Sequence, residues 1–272
     1  MQEFIIDTLY GSCCLSIHAP CWHDELRGRM AAISTALLRQ CPSFRPGVAY
    51  VLRNALYLQP CARNVAATSL LASRGPGFAL PADCGFERLD PDAEPTAAEL
   101  AAVVDEVYAA STASAGAMGE SDAGVTFAGD GEPLLALETL ISTVELLQVR
   151  RNGLPMRLVT SGLFGSEVAQ RLLGSGALAL GDADARRETR IASVSVALNA
   201  DSPALFERLV GPPNGAAGFG QVCGFISALA EGGAAVECTC VEHQDVDVAA
   251  TRRLALALGA RELRVRPYFP AS

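Results

Sequence analysis

The stretch Val125-Thr-Phe-Ala-Gly-Asp-Gly-Glu-Pro-Leu-Leu135 decides the fold of this chain. Val125 to Ala128 predict a buried strand, a Gly-Asp-Gly turn follows it, and a helix opens at Glu132-Pro133. Proline fits the first helical turn because its missing N–H would have no helical partner there. The two glycines permit backbone conformations that a side chain would forbid, and they let a ligand come close. The stretch therefore predicts half of a βα unit with a ligand shelf at the end of the strand, or else an ordinary βα turn.

Composition narrows the classes of function. The chain has 272 residues, 50% of them hydrophobic, which is enough to bury the core of one large α/β domain. A net charge of -9 argues against general affinity for nucleic acid or for anionic membranes. No apolar run is long enough to span a bilayer. We therefore expect no direct nucleic-acid contact and no membrane, and the first function hypothesis given below adds other protein subunits as partners.

The cysteines indicate the compartment. There are nine, an odd count, and they are scattered through apolar runs. This usage predicts reduced thiols in an intracellular compartment, without distinguishing the cytoplasm from an organelle such as the mitochondrion.

Residues 1–47 are interpreted as an N-terminal extension with one amphipathic helix, Asp24 to Arg39, whose apolar positions recur at helical spacing. Before this helix lies a group of thiols and imidazoles that could supply zinc ligands. Their spacing matches no zinc-finger pattern, which favours buried or incidental side chains and leaves their role open. The group consists of Cys13, Cys14, His18, Cys21 and His23.

From residue 48 to 272 strands and helices alternate, which predicts a parallel sheet covered by helices. Val51 to Leu58 is a strand candidate, and Thr96 with Glu99 predicts a capping box for the helix that follows Pro95. Six strand–helix units suit a partial barrel, whose functional loops lie at the carboxyl ends of the strands. The six strands are expected at Ala55–Leu58, Val125–Ala128, Met156–Thr160, Ile191–Leu198, Ala235–Val241 and Leu263–Arg266.

Six short motifs follow one another along residues 48–270. They are Leu52-Arg-Asn-Ala-Leu-Tyr-Leu58, Arg74-Gly-Pro-Gly-Phe78, Phe127-Ala-Gly-Asp-Gly-Glu-Pro133, Thr160-Ser-Gly-Leu163, Ser195-Val-Ala-Leu-Asn-Ala200 and Leu263-Arg-Val-Arg-Pro-Tyr268. In this order they resemble the radical SAM superfamily, most closely its members associated with TatD-family nucleases. The resemblance implies a partial (β/α)6 barrel of the radical SAM type.

The resemblance also implies where a [4Fe–4S] cluster would be held. Radical SAM enzymes use three cysteines spaced C-x3-C-x2-C after the first strand, because iron in such clusters is bound by thiolate sulfur. In this chain the three positions fall on Asn64, Thr68 and Leu71, and no such cysteine motif occurs elsewhere. Cys61 is nearby but has no companion in the loop, and Cys223, Cys238 and Cys240 are expected to be core residues. We therefore expect no metal and a lost cluster.

The residues at the expected pocket for S-adenosylmethionine depart less from the superfamily's pattern than those of the cluster loop do. By the resemblance, Gly129, Asp130, Gly131 and Glu132 present backbone to the methionine amino group. Ser161 replaces the usual asparagine, Ala197 replaces a frequent serine, and Ser195 and Asn199 remain. Arg264 and Arg266 share one face of the last strand, either towards the barrel mouth or in surface pairs. These residues are the predicted, vestigial cofactor-binding set: Gly129, Asp130, Gly131, Glu132, Ser161, Ser195, Asn199 and Arg266.

Two function hypotheses follow. The first is a degenerate radical SAM-like protein with no cofactor and no catalytic residues, retained as a structural or interaction subunit of a large assembly. Its barrel mouth should be plugged by side chains or by a partner. The alternative is a cluster-free binder of S-adenosylmethionine or a related nucleotide, with an open pocket over Gly129–Glu132. A radical SAM enzyme with unrecognised cluster ligands is the third hypothesis.

Overall fold

The computed structural model describes residues 33–115, 124–181 and 188–271. The Cys13/His23 group and most of the predicted helix Asp24–Arg39 lie outside these residues. Within them, no helix combines the length and the apolar character that a membrane crossing requires.

The described part is built on one seven-stranded sheet with the strands in sequence order. The first two strands pair antiparallel, and every later pair is parallel. No pairing joins the first strand to the last, so the barrel is open, as a partial barrel requires. The strands are β1 Ala49–Leu52, β2 Ala55–Leu58, β3 Val125–Phe127, β4 Met156–Thr160, β5 Ile191–Ala197, β6 Val236–Val241 and β7 Glu262–Arg266.

The hairpin β1–β2 corrects the expectation of one strand over Val51–Leu58. Arg53 and Asn54 adopt φ values of 52° and 61°, the left-handed conformation that a two-residue hairpin turn needs at both central positions. The chain reverses there, so Leu52 pairs with Ala55. The six expected strands are present, and β1 is added to them on the outer side of β2.

Helices follow the parallel strands, as the alternation predicts. These are α2 Ala97–Ala115, α3 Leu137–Arg150, α4 Gly165–Gly174, α5 Pro203–Val210, α6 Ala217–Glu231 and α7 Val248–Ala257, whereas α1 Thr35–Leu38 precedes the sheet. The capping box of α2 is confirmed: the N–H and the hydroxyl of Thr96 each donate to Glu99 Oε2 at 2.8 Å, and the Glu99 N–H donates to Thr96 Oγ1 at 3.3 Å.

The described end of the N-terminal helix differs from the expectation. Ser34 is extended, with φ -127°, and its hydroxyl accepts from the Leu37 N–H, so α1 begins at Thr35 rather than running continuously through Ile33 and Ser34. Ile33, Leu38 and Cys41 are buried in the same core as the barrel. The division between an extension and a barrel at residue 47 stays a prediction.

Strand alternation determines which side chains face the interior of the barrel. In β4, Met156, Leu158 and Thr160 are buried, whereas Arg157 and Val159 are half-buried on the opposite face. The first set packs in the hydrophobic core, and the second lines a cavity on the concave side of the sheet. The functional candidates lie on this concave side and at its carboxyl edge.

Candidate functional site

Glu132 is the centre of the carboxyl edge of the sheet. Its side chain is buried, at 2% exposure, and it caps a short 3-10 turn at Pro133–Ala136 that leads into α3. Oε1 accepts from the Leu134 N–H at 3.1 Å and from the Thr160 hydroxyl at 2.7 Å, and Oε2 accepts from the Ser161 N–H at 2.8 Å. Burial raises the pKa of Glu132 above its usual value, and these donors oppose that shift in part. The carboxylate therefore joins the turn after β3 to the turn after β4.

The Gly-Asp-Gly turn lies directly beneath residues 59–63. A Cβ on Gly129 would lie 2.3 Å from Gln59 Oε1, and one on Gly131 would lie 2.0 Å from the Cys61 carbonyl oxygen. The close approach that the glycines predict is therefore real, and here the chain's own loop makes it.

Hydrogen bonds hold this loop on the turn. The Asp130 N–H donates to Gln59 Oε1 at 3.1 Å, and the Glu132 N–H donates to the Arg63 carbonyl at 2.8 Å. The Asp130 carboxylate accepts from the Ser69 hydroxyl at 2.8 Å. Two of the backbone groups expected to meet a ligand are thus already paired.

The predicted cluster positions lie on the same loop. Asn64 is exposed, and Thr68 and Leu71 are half-buried. An amide, a hydroxyl and an aliphatic side chain do not form the donor set that iron in a [4Fe–4S] cluster needs. Within the described ranges, no three His, Cys, Asp or Glu side chains are grouped so as to hold a metal ion. The residues that the resemblance places at the cluster therefore do not fit it.

Cys61 is a buried thiol rather than an exposed ligand. Its Sγ lies 3.2 Å from Glu94 Oε1 and 3.3 Å from the Arg63 nitrogen. Burial, with the Glu94 carboxylate beside it, raises the pKa of Cys61 to about 11. Neutral thiol is the dominant form at pH 7.

Cys238 and Cys240 are fully buried, as expected of core residues. Burial raises the pKa of the first to about 12 and of the second to about 11.

Several predicted site residues meet around one small space of about 20 Å³. Glu132, Ser161 and Asn199 line it from the strand ends, and Asn64 and Thr68 line it from the loop. A space of this size holds about one water molecule. The loop is also attached on its far side, where the Ala67 N–H donates to the Gly211 carbonyl at 3.1 Å. The structure thus brings Glu132, Ser161 and Asn199 together, and residues 64–73 cover them, which the sequence did not predict.

A second, much larger space lies deeper in the barrel. This cavity, of about 560 Å³, is lined by side chains from the concave face of all seven strands. Ser195 and Arg266, two of the predicted site residues, lie on its wall, and Gly129 and Asn199 also border it. We call it the arginine cavity, because five arginines line it: Arg53, Arg74, Arg157, Arg264 and Arg266.

The charges in the arginine cavity are unevenly paired. Glu237 binds Arg157 at 2.5 Å and Arg264 at 3.0 Å, and Glu262 binds Arg264 at 2.5 Å. Arg264 thus faces the barrel and also pairs with acids, so the two expectations for it both hold. Arg266 forms no ion pair with any described residue. Burial and the neighbouring guanidinium groups of Arg157, Arg264 and Arg74 lower the pKa of Arg266.

Arg74 contributes a part of the cavity that the sequence did not predict. Its guanidinium carbon lies 4.2 Å from the centre of the Phe78 ring and 5.3 Å from that of Phe269. Arg74 lies in the loop after β2, far in sequence from the strands whose arginines it joins. The motif Arg74-Gly-Pro-Gly-Phe78 drew attention to this segment of the sequence. It did not predict that the Arg74 side chain would lie beside the arginines of the strands.

No protein-family model matches the sequence, and no curated protein matches it either. Among solved structures, the chain is similar to Streptococcus suis SuiB bound to the precursor peptide SuiA, with a TM-score of 0.51 and 12% identity over 78% of this chain and 39% of that one. It is also matched to a radical SAM methyltransferase from Sphaerobacter thermophilus, with 17% identity over 78% of this chain and 66% of that one, at a TM-score of 0.39 that adds no argument. The likeness to SuiB supports the fold class expected from the sequence, an open α/β partial barrel. The chain spans about two fifths of SuiB.

Proposed function

We propose that the chain is a degenerate radical SAM-like protein that has lost its [4Fe–4S] cluster and serves as a structural or interaction subunit. The TatD-nuclease-associated members are the relatives that its motifs resemble most. The observation that supports the proposal is the loop over residues 59–73, which carries no thiolate at positions 64, 68 and 71 and which packs into the site.

The packing of this loop supports a loss of chemistry rather than a replacement of ligands. A cluster loop must leave space beside the strand ends for the cluster and for the methionine group that binds it. Here the corresponding space is about 20 Å³, and the Asp130 and Glu132 N–H groups are bonded to Gln59 and Arg63. The packing of this loop over Glu132 supports the first hypothesis, in which side chains plug the barrel mouth.

Iron and labile sulfide content, measured after reconstitution without oxygen, tests the loss of the cluster. We expect neither element and no visible charge-transfer band. A matched variant, Asn64→Cys/Thr68→Cys/Leu71→Cys, restores the thiolates at the proposed positions. Iron in this variant and none in the natural chain would support both the loss and its placement. Stoichiometric iron and sulfide in the natural chain would overturn the proposal and favour the enzyme with other ligands.

The subunit role has its own test. The full chain, followed in native extract by gel filtration and density-gradient sedimentation, should migrate in an assembly much larger than a monomer. Migration as a free monomer, with none of the chain in a larger species, would contradict this role.

The alternative, a cluster-free binder, is favoured by the arginine cavity of about 560 Å³, which is within the usual range for ligand pockets of about 300–1,000 Å³. A thermal-shift titration with S-adenosylmethionine separates the two functions. A saturable rise in melting temperature would support the cluster-free binder. No shift at millimolar S-adenosylmethionine would favour the subunit role.

A further inference from the structure

The arginine cavity is positive in a protein that is strongly negative. The chain carries a net charge of -9, yet five arginines line this one cavity, and no acidic residue of the described ranges lines it. Like charges gathered in a half-buried space repel one another and lose hydration, so the arrangement weakens the fold unless something offsets it.

The chain's own acids offset part of this charge. Glu237 and Glu262 neutralise Arg157 and Arg264 through ion pairs. Arg74 and Arg266 have no such carboxylate in the described part of the chain. Arg151 differs from these two residues because it is paired within the chain. Its Nε donates to Asp105 Oδ1 at 2.8 Å, and its Nη2 donates to the Asp105 carbonyl at 2.7 Å.

Two donor atoms at the cavity are also left unused. The Nε atoms of Arg74 and Arg157 are buried and have no hydrogen-bond partner among the described residues. A buried donor without a partner costs free energy, and protein structures contain few of them. Both side chains border the arginine cavity. An anion bound there could neutralise the guanidinium charge and also accept hydrogen bonds from these two Nε–H groups.

We propose that the arginine cavity binds a small organic anion, a carboxylate or a phosphate monoester attached to a flat apolar ring. Guanidinium groups recognise both anions through paired N–H donors, and Arg74 and Arg266 supply the uncompensated charge. Tyr57, Phe78 and Phe269 supply aromatic surface on the same cavity wall for the ring. The volume of about 560 Å³ has room for such a ligand together with water.

This inference goes beyond the subunit role and does not depend on whether a cluster has been lost. Gly129, Ser195, Asn199 and Arg266 of the predicted S-adenosylmethionine set border the same cavity, but the sulfonium and ammonium groups of that ligand outnumber its one carboxylate. A cation of this kind is disfavoured beside unpaired arginines.

Calorimetric titration of the full chain in a low-salt buffer without phosphate tests the proposal. The probes are phenyl phosphate and benzoate, with benzyl alcohol as the neutral analogue and inorganic phosphate as the anion without a ring. We expect phenyl phosphate or benzoate to bind with a stoichiometry of one, and the stronger of the two identifies the anion. Inorganic phosphate should bind more weakly, and benzyl alcohol should not bind. No binding of either aromatic anion, or equal binding of benzyl alcohol, would overturn the proposal.

Variants at Arg266 identify the site. Arg266→Met removes the charge and keeps an apolar stem of similar length, so the bound anion should lose tenfold to a hundredfold in affinity, on the order of one charged hydrogen-bonded pair. Arg266→Lys keeps the charge but not the paired donors, and should lose less. Arg208→Met is the control, because Arg208 lies outside the cavity, with 63% of its side chain exposed and an ion pair to Asp245.

Melting temperature distinguishes a binding role from a structural one. If Arg266 serves a ligand, the ligand-free Arg266→Met protein should melt at the same temperature as the natural chain or higher, since a repelled cation has been removed. Lower stability of both Arg266 variants with unchanged anion affinity would show that the arginine is structural, and would overturn the proposal.

Discussion

Two spaces in one barrel have opposite characters. The space above Glu132 is small and its polar groups are paired with the chain itself, whereas the arginine cavity is large and leaves cations and donors unpaired. Hydrogen bonds and ion pairs within the chain stabilise the fold. Buried polar groups that have no partner lower the free energy of unfolding. The comparison indicates that the carboxyl edge of the sheet is part of the folded framework, while the interior has the unpaired charges and donors of a binding site.

The largest expected effect is at Glu132, in the small space. Glu132→Ala leaves the Ser161 N–H, the Leu134 N–H and the Thr160 hydroxyl without their acceptor in a buried setting. We expect a loss of about 4 kcal/mol in the free energy of unfolding, measured with urea. Glu138→Ala is the matched control, since that carboxylate is 74% exposed, and it should change stability little. Equal losses of stability in Glu132→Ala and Glu138→Ala would contradict the view that pairing in the small space stabilises the fold.

The next effect tests how tightly the loop covers the turn. Gly131→Ala places a methyl group 2.0 Å from the Cys61 carbonyl oxygen, so the backbone must move. We expect a loss of about 2–3 kcal/mol in urea unfolding. Gly220→Ala is the control, because its Cβ meets nothing within 4 Å in helix α6. This second variant should be neutral or slightly stabilising. A tolerated Gly131→Ala would mean that the loop does not hold the turn.

A smaller effect is expected in the arginine cavity. Glu237→Gln removes the charge that faces Arg157 and Arg264, whose side chains are 26% and 38% exposed. Because solvent screens these partners, we expect a loss of only about 1–2 kcal/mol in urea unfolding. The same change leaves more positive charge in the cavity and should tighten the binding of phenyl phosphate or benzoate in calorimetry. Weaker binding of these anions would contradict the electrostatic account.

The smallest effect is a pH dependence that arises from Glu132. Burial raises its folded pKa above the ordinary value of 4.5, so the folded state holds the proton more tightly than the unfolded state. The resulting stability is present below about pH 4.5 and is lost as the pH rises through the folded pKa. The stability of the natural chain relative to Glu132→Gln should therefore fall as the pH rises above about 4.5. A relative rise would show that the three hydrogen bonds outweigh burial.

Local sequence patterns predicted the elements that depend on local chemistry. The strand and turn from Val125, the helix start at Glu132-Pro133 and the capping box of Thr96 and Glu99 all follow from residues within a few positions of one another. The hairpin at Arg53-Asn54 was missed because arginine in a left-handed turn is an uncommon signal, and the turn lies between apolar residues that also suit one strand.

The parts that the sequence could not predict depend on distant residues. Gln59 donates to the carbonyls of Gly47 and Glu87 and accepts from the Asp130 N–H, which joins three segments that no local pattern connects. The convergence of Arg74 and Arg157 with the predicted Arg266 is likewise a product of the fold. Periodicity identified the face of β7, but it carried no information about which cations would meet there.

The unbroken strand order β1 to β7 has a consequence for synthesis on the ribosome. Each new parallel strand can dock on the edge left by the strand made just before it, so the sheet can grow as the nascent chain emerges. Arg264 and Arg266 lie on β7, the last of the seven strands to be made, whereas Glu237, which pairs with Arg157 and Arg264, lies on β6 and is made before them. A partly translated chain therefore has most of its sheet before the cavity gains its full positive charge.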